Sequence, residues 1–420
     1  MKASLTRRPI LSSRSGDVVR QRNRLSDCID GEPGAGPVED VDETPLPGPH
    51  QSLAHQRIST KGLTAMRAVQ MDDFRKRLVV RDVPIAEIGD DDALIRVTAS
   101  GVCRTDWHVW NGDWTWIGLH PPLPTTLGHE IGGVVESVGS KVTGLSVGTR
   151  VTVPFNFACG GCRYCRKGLQ NLCDNWVWPF LLDGSGGFAE YVRVPNANLN
   201  CIPLPSEVTD LDAAVLGCRY MTAYRQVRTR ASVRAGETVT VVGLGGVGLA
   251  AVEIASALGA QVIAVDKQPD RLLEATKLGA MEVIASEHLT PAEVGEQVQA
   301  INGGIGSEVS IDAVGMNDAT LAALESLQKG GRLATVGLTT RGEDGNLTIP
   351  IDKMVAKEWS ISGSLGNPHA DYPELLAMIQ NGKLAPHQHV RQEIGFDDVQ
   401  GVFDVLPDFG TRGYVVITKF

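Results

Sequence analysis

Cys103 and His129 pair a soft thiolate with an imidazole, the ligand types a zinc site selects. Thr105 and His108 follow the cysteine by two and five residues, close enough to pass a proton outward from a metal-held oxygen. Glu130 adjoins the histidine, where a carboxylate can act as an outer partner of the metal, and Asp106 is placed to fix the ligand histidine's tautomer. Taken singly, Cys103 reads as a buried structural thiol and His129 as a hydrogen-bonded core histidine. Gathered between Gly101 and Gly133, they indicate a catalytic zinc.

Such a centre keeps one coordination position open and needs a third protein ligand. Cys28 lies in a stretch without apolar periodicity, and Cys201 beside Pro203 reads as core. Cys218 stands where the chain's texture changes, so it would bring the metal to a cleft between domains, where ligands tend to bind. Cys218 is the expected third ligand. Two thiolates offset the ion's charge, and a coordinated alcohol is acidified directly. Zinc does not change oxidation state, so a hydride acceptor must be sought elsewhere.

A second cysteine group, Cys159, Cys162, Cys165 and Cys173, has the tight spacing that wraps one tetrahedral ion, with Gly160 and Gly161 relieving the crowding. Sulfur would fill every coordination position, so this site is expected to be structural. An iron–sulfur cluster and a redox thiol pair are the rival readings. Both fit less well beside a catalytic zinc.

The acceptor is signalled by Thr238–Val242, a β-branched run ending in Gly243-Leu-Gly245-Gly246-Val247-Gly248, then the helical Leu249–Leu258 and the run Gln261–Asp266. Alone, three spaced glycines mean little; between strand and helix they form a dinucleotide-binding turn. Gly243 permits the tight turn, Gly245 lets the backbone approach a pyrophosphate, and Gly248 lets the helix pack on the strand. Asp266 can accept both ribose hydroxyls and would repel a 2′-phosphate, which points to NAD over NADP; Lys267 and Arg271 nearby could partly offset that repulsion. Arg104, of the wrong charge to ligate zinc, is suited to the cofactor pyrophosphate.

These groups need a frame. Short β-rich runs from Met66 to Val194, punctuated by turns such as Gly89-Asp-Asp-Asp92, suggest a β-barrel-like domain carrying both cysteine groups. From Cys218 onward strands and helices alternate, as a doubly wound parallel sheet requires, with Trp359–Leu365 a candidate last strand. The segment from Asp371 holds one amphipathic helix, Tyr372–Gln380, and a strand-like ending, Gly413–Lys419, expected to return to the first domain. The expected divisions are a disordered leader at 1–65, a zinc domain at 66–217 with its lobe at 154–177, a nucleotide domain at 218–350 and a return at 351–420. The leader is Arg-rich and then acid-rich with abundant Gly and Pro. Its start only faintly suggests a targeting segment, and the folded protein is expected to begin at Met66.

A net charge of −10 argues against nucleic-acid and anionic-membrane partners, and no apolar run is long enough to span a bilayer. Eight cysteines, four of them clustered, fit zinc in a reducing, cytoplasmic setting better than a disulfide framework.

From Met66 to Phe420 the chain resembles the zinc-dependent medium-chain alcohol dehydrogenases, in wording closest to their microbial tetrameric branch. The resemblance rests on Cys103-Arg-Thr-Asp-Trp-His108, Asn111-Gly-Asp-Trp114, Gly128-His-Glu-x-x-Gly133, the four-cysteine lobe, Gly243–Gly248 with Asp266, and the Gly413-Tyr-Val-Val ending. It implies an α/β chain with a GroES-like β-barrel catalytic domain and a Rossmann doubly wound parallel sheet. It implies two zinc ions per chain, the catalytic one on Cys103, His129 and Cys218 and the structural one on the lobe. It further implies NAD as cofactor, a proton relay through Thr105 and His108, and Glu130 behind the metal, able to exchange onto it. Trp114 matches a residue that narrows the pocket for small alcohols. A homotetramer or dimer is implied as well.

Three departures stand out. The passage between Cys103 and His129 is longer than in that branch and holds Trp116, Ile117 and Leu119. Arg219-Tyr220 follows Cys218 where small residues are usual. Pro368-His369 stands where an arginine for the cofactor phosphates is common, leaving that duty to Arg104. The expected activity is NAD-linked interconversion of a primary or secondary alcohol with its aldehyde or ketone. A polyol or amino-alcohol dehydrogenase and a non-catalytic nucleotide sensor are the alternatives.

Overall fold

The computed structural model describes residues 64–338, 345–407 and 410–420. The leader expected at 1–65, with Cys28 in it, lies outside these residues except for Thr64 and Ala65. Ala65 already opens the strand Ala65–Met71.

Thr238–Val242 is buried along its whole length, as a β-branched run must be when both faces of its sheet are covered. Burying a side chain such as Val239 or Val241 contributes about 1.5–3 kcal/mol, and both are fully enclosed. The strand pairs in parallel with Gln261–Asp266 on one side and Ser307–Asp312 on the other. Ala280–Ala285 extends the sheet beyond the former. Leu327–Thr335 and Ser360–Gly363 extend it beyond the latter. Chain order therefore reverses between Thr238–Val242 and Ser307–Asp312. At that reversal the connecting helices leave to opposite faces and a crevice opens at the strands' carboxyl ends. Gly243 begins there.

The remaining strands form a small sheet around Ala65–Met71 and a larger, mainly antiparallel one centred on Ala93–Val102 and Glu130–Val138. In the larger sheet Gly101 lies opposite Glu130. This register brings the two halves of the first motif together, because Cys103 and His129 each lie just beyond the paired ends of neighbouring strands. No Cβ fits at Gly101, where it would come within 2.0 Å of the Glu130 carboxylate.

The C-terminal boundary differs from expectation. Ser360–Gly363 is the last strand of the nucleotide sheet, and the helix Tyr372–Gln380 buries Tyr372, Leu375 and Leu376 in a core that holds Val239 and Val241 together with Tyr414 and Val416. The nucleotide sheet thus runs past 350, and the return to the larger sheet has Val390–Gly395 as its first strand. The return also contains more than one strand: Val390–Gly395 pairs with Tyr414–Lys419, which pairs with Ala93–Val102. Between them the helix Val399–Val405 packs Val399, Val402 and Phe403 into the core that includes Trp114. Among the described residues no helix is long and apolar enough to cross a membrane.

Candidate active site

Cys103 precedes the helix Arg104–Asn111, and Asp106 ties that helix start to the neighbouring strand. One carboxylate oxygen accepts from the Cys103 amide at 3.1 Å. The other accepts from the Gly128 amide at 3.0 Å and meets His129 Nδ1 at 2.8 Å. An ionised carboxylate can only accept, so Nδ1 carries the proton and Nε2 is turned inward. His129 Nε2 is buried and makes no hydrogen bond. A buried nitrogen of this kind is costly unless another group takes it up.

Ligand atoms of Cys103, His129, Glu130 and Cys218 all lie within 4.8 Å of one another. Cys218 precedes the helix Arg219–Tyr224, so the junction cysteine does reach the first motif. A hydrogen bond with Cys218 holds the Cys103 thiol well below its ordinary value, helped by His129 and Arg219. The same pairing, with burial, pushes Cys218 up. Two thiols, an imidazole with a free inward nitrogen and a carboxylate make a donor set that fits zinc. Cys201, by contrast, is buried among strand residues such as Val151 and Val194, as its core reading expected.

Glu130 is fully buried, and burial raises its pKa against the opposing pull of Arg219. Arg219 Nε donates to one Glu130 oxygen at 2.8 Å and Nη2 to the other at 2.6 Å. The Arg219 amide adds a third bond, at 3.1 Å. The side chain that departs from the family pattern is thus the partner of a residue in the ligand cluster.

Cys103, Arg104, Thr105, His108 and Trp114 line a cleft of about 2040 Å³. The glycine turn forms its opposite wall, through Gly243, Gly245, Gly246 and Val247, with Asp266 and Arg271 beyond it. This volume is far larger than the several hundred Å³ a small substrate needs and suits a dinucleotide. Gly243 has φ +86, a left-handed conformation that glycine adopts without strain. A Cβ at Gly245 would meet nothing, leaving that backbone open to the cleft, whereas one at Gly248 would fall 1.8 Å from the Gly243 carbonyl oxygen. Each glycine therefore has a separate reason, and the helix Gly246–Ala257 starts with its amides at the cleft. Asp266 accepts from the Leu244 and Gln268 amides at 2.6 and 2.8 Å, and Arg271 lies 3.9 Å from its carboxylate. Arg104 donates to the Leu406 carbonyl at 3.0 Å and lies over the Trp107 ring.

Thr105 and His108 are one helical turn apart, as a relay requires. His108 is only 7% exposed, less open than an outlet to solvent would be. Its Nδ1 meets Asp113 at 2.6 Å and its ring stacks on Trp114 at 5.1 Å. The sequence reading gave Asp113 no role. Gly112 ends the helix in the left-handed conformation and turns the chain back so that Asp113 faces the preceding turn. Trp114, Trp178 and Phe180 form a row of touching rings that reaches His129. The inserted Trp116 is 57% exposed and stands outside this wall.

Cys159, Cys162, Cys165 and Cys173 also bring their sulfurs within 4.8 Å of one another. The Cys159 and Asn175 amides donate to the Cys173 sulfur, each at 3.3 Å, and the Cys165 amide to Cys162 Sγ at 3.4 Å. Backbone bonds of this kind, led by the Cys162 amide, bring the Cys159 thiol down to about 6, while burial pushes Cys165 up to about 12. Backbone amides aimed at sulfur suit thiolates sharing one ion.

Residues 89–206 match the family described as the alcohol dehydrogenase GroES-like domain, and residues 246–381 match the zinc-binding dehydrogenase family. The chain is 33% identical to an alcohol dehydrogenase of Geobacillus stearothermophilus over 355 residues, 84% of this chain and 99% of that one. It is 32% identical to an L-threonine 3-dehydrogenase of Rhizobium johnstonii over 344 residues, 81% of this chain and 94% of that one. Among solved structures, an alcohol dehydrogenase from Thermus sp. ATN1 superposes with a TM-score of 0.76 at 30% identity, covering 84% of this chain and 100% of the other.

Proposed function

Because the chain belongs to the zinc-dependent medium-chain alcohol dehydrogenase family, we propose that it oxidises a small primary or secondary alcohol with NAD, giving the aldehyde or ketone and NADH. The observation that carries this reading is the convergence of Cys103, His129 and Cys218 beside the cleft on which the glycine turn opens. Zinc held by those three residues would acidify the alcohol and NAD would accept its hydride. Asp106 keeps His129 Nε2 turned toward the ligand cluster. Thr105 takes the alcohol's proton and passes it to His108. Trp114, Trp178 and Phe180 exclude water and narrow the space beside His129, which favours small or flat apolar alcohols. Asp266 accepts the adenosine ribose hydroxyls, and the lobe cysteines hold a second, structural zinc.

The identity to an L-threonine 3-dehydrogenase supports an amino-alcohol substrate as the second reading. Steady-state rates of NADH formation with ethanol, 2-butanol, benzyl alcohol, 1,2-propanediol and L-threonine discriminate the two. Simple alcohols are expected to turn over with the higher kcat/KM. Selective turnover of L-threonine would replace this substrate class with the other.

His108 carries a pH prediction. Burial lowers its pKa, while hydrogen bonding and the charge of Asp113 act to raise it. Proton acceptance needs the unprotonated ring, so the acid limb of kcat/KM should fall below the ordinary histidine value of about 6.5. Asp113→Asn removes the group that raises the pKa. The limb should move to still lower pH, and the plateau should fall because the ring loses its anchor. A limb that moves upward would exclude His108 as the acceptor.

Cofactor choice gives another prediction. Setting Asp266 against a 2′-phosphate juxtaposes like charges, which costs several kcal/mol. Asp266→Ser is expected to raise the NADP-to-NAD ratio of kcat/KM by about tenfold or more, with Arg271 released toward the phosphate. An unchanged ratio would place the discrimination elsewhere.

A further inference from the structure

Arg219 is a buried cation whose surroundings can be accounted for bond by bond. Nε and Nη2 are spent on the two Glu130 oxygens. One face of the guanidinium lies 4.1 Å from the centre of the Tyr414 ring. Nη1 makes no hydrogen bond among the described residues and is not fully enclosed. Arg219 lines the cleft, so Nη1 is the edge that opens there.

The surroundings are built for this side chain. A Cβ at Gly101 would come within 3.0 Å of Arg219 Nη2, and one at Gly246 would stand 3.2 Å from Arg219 Cδ and 2.7 Å from Tyr414. The Tyr414 hydroxyl donates to the Gly246 carbonyl at 3.0 Å, fixing the aromatic plate against the first helical turn. The guanidinium stem therefore runs beneath the glycine turn, beside a helix start that carries partial positive charge. A cation set beside a helix N-terminus is unfavourable unless an anion joins the two. Glu130 approaches from the opposite edge and cannot fill that place.

Resting on the dehydrogenase reading above, we propose that Arg219 Nη1 donates to the pyrophosphate of the bound dinucleotide. The residue thus bridges the cofactor and the carboxylate of the ligand cluster. This duty would otherwise fall to Arg104, which gives one of its donors to the Leu406 carbonyl. Arg219 also accounts for Pro368, which supplies no cation. Because the same guanidinium holds Glu130, loss of the arginine should disturb both ends of the bridge.

The test uses the full zinc-loaded chain and measures binding rather than turnover. Removing only the arginine would leave Glu130 buried without a partner, so the first variant combines Arg219→Met with Glu130→Gln. A second, Arg219→Lys, keeps the charge but loses the forked geometry. Dissociation constants for NADH and ADP-ribose are measured by fluorescence or calorimetry, and that for adenosine by competition. Zinc content and melting are followed in parallel.

NADH and ADP-ribose are expected to bind about tenfold or more weakly to the double variant, as loss of a charged hydrogen bond implies, with adenosine unchanged. Arg219→Lys should weaken the same two ligands by less. Unchanged ADP-ribose binding in both variants would overturn the proposal, as would equal weakening of adenosine. Failure of the unsubstituted chain to bind NADH or ADP-ribose would instead overturn the dehydrogenase reading itself.

Discussion

Cys103→Ser is expected to lower kcat/KM by about a thousandfold or more while leaving the protein folded. Serine nearly matches the thiol in size and is a favourable residue at a helix start, and Cys103 precedes the helix Arg104–Asn111. The substitution therefore leaves the packing and the helix terminus largely intact. What it removes is a thiolate from a cluster whose ligand atoms lie within 4.8 Å of one another. A catalytic metal contributes several kcal/mol at the transition state, and each 1.4 kcal/mol is about tenfold in rate. Progress curves with NAD, metal analysis and thermal melting on one preparation check the prediction. Zinc per chain should fall by one and melting should change little. Full activity in the serine variant would remove the metal from the mechanism.

The second large effect is on stability. Cys165→Ser should lower the melting temperature by roughly 10 °C, the size expected for losing a structural metal from a folded domain. The lobe has little regular structure of its own: the short turns Cys165–Lys167 and Gln170–Leu172 and one isolated bridge between Phe157 and Val177. Its apolar packing is slight, with Ala158, Cys165 and Cys173 buried and Leu199 beside them. The folding energy of such a segment has to come largely from the ion. The lobe also reaches the nucleotide side of the chain, where Asn171 donates to the Leu365 carbonyl at 2.8 Å, so its loss should loosen the cleft as well. Differential scanning calorimetry, metal content and limited proteolysis between residues 154 and 177 read the effect. Unchanged melting together with unchanged zinc would exclude a structural site there.

What could be read before the structure was what is local in the chain. The glycine turn was legible because strand, turn and helix are contiguous; Gly243 and Gly248 answer to nearby steric demands, while Gly245 leaves its backbone open to the cleft. The lobe was legible for the same reason. Cys103, His129 and Cys218 were recognisable by residue type, but their convergence depends on the antiparallel register of Gly101 with Glu130, which no short stretch encodes. The Glu130–Arg219 pair was not foreseen, because a contact between residues 89 apart leaves no periodicity to detect. Arg219 was visible only as an unusual residue after Cys218. Asp113 was overlooked because its direction depends on the conformation of Gly112. The nucleotide sheet runs past its expected limit at 350 because Ser360–Gly363 pairs with Leu327–Thr335, a partner that no short stretch encodes.

The most direct test of the central claim is the rate of NAD reduction with a small alcohol, measured before zinc removal, after removal with a chelator, and after zinc is restored. The account predicts that turnover is lost on removal of the more labile ion and returns when zinc is added back. Turnover that persists in protein shown by metal analysis to hold no zinc would contradict it.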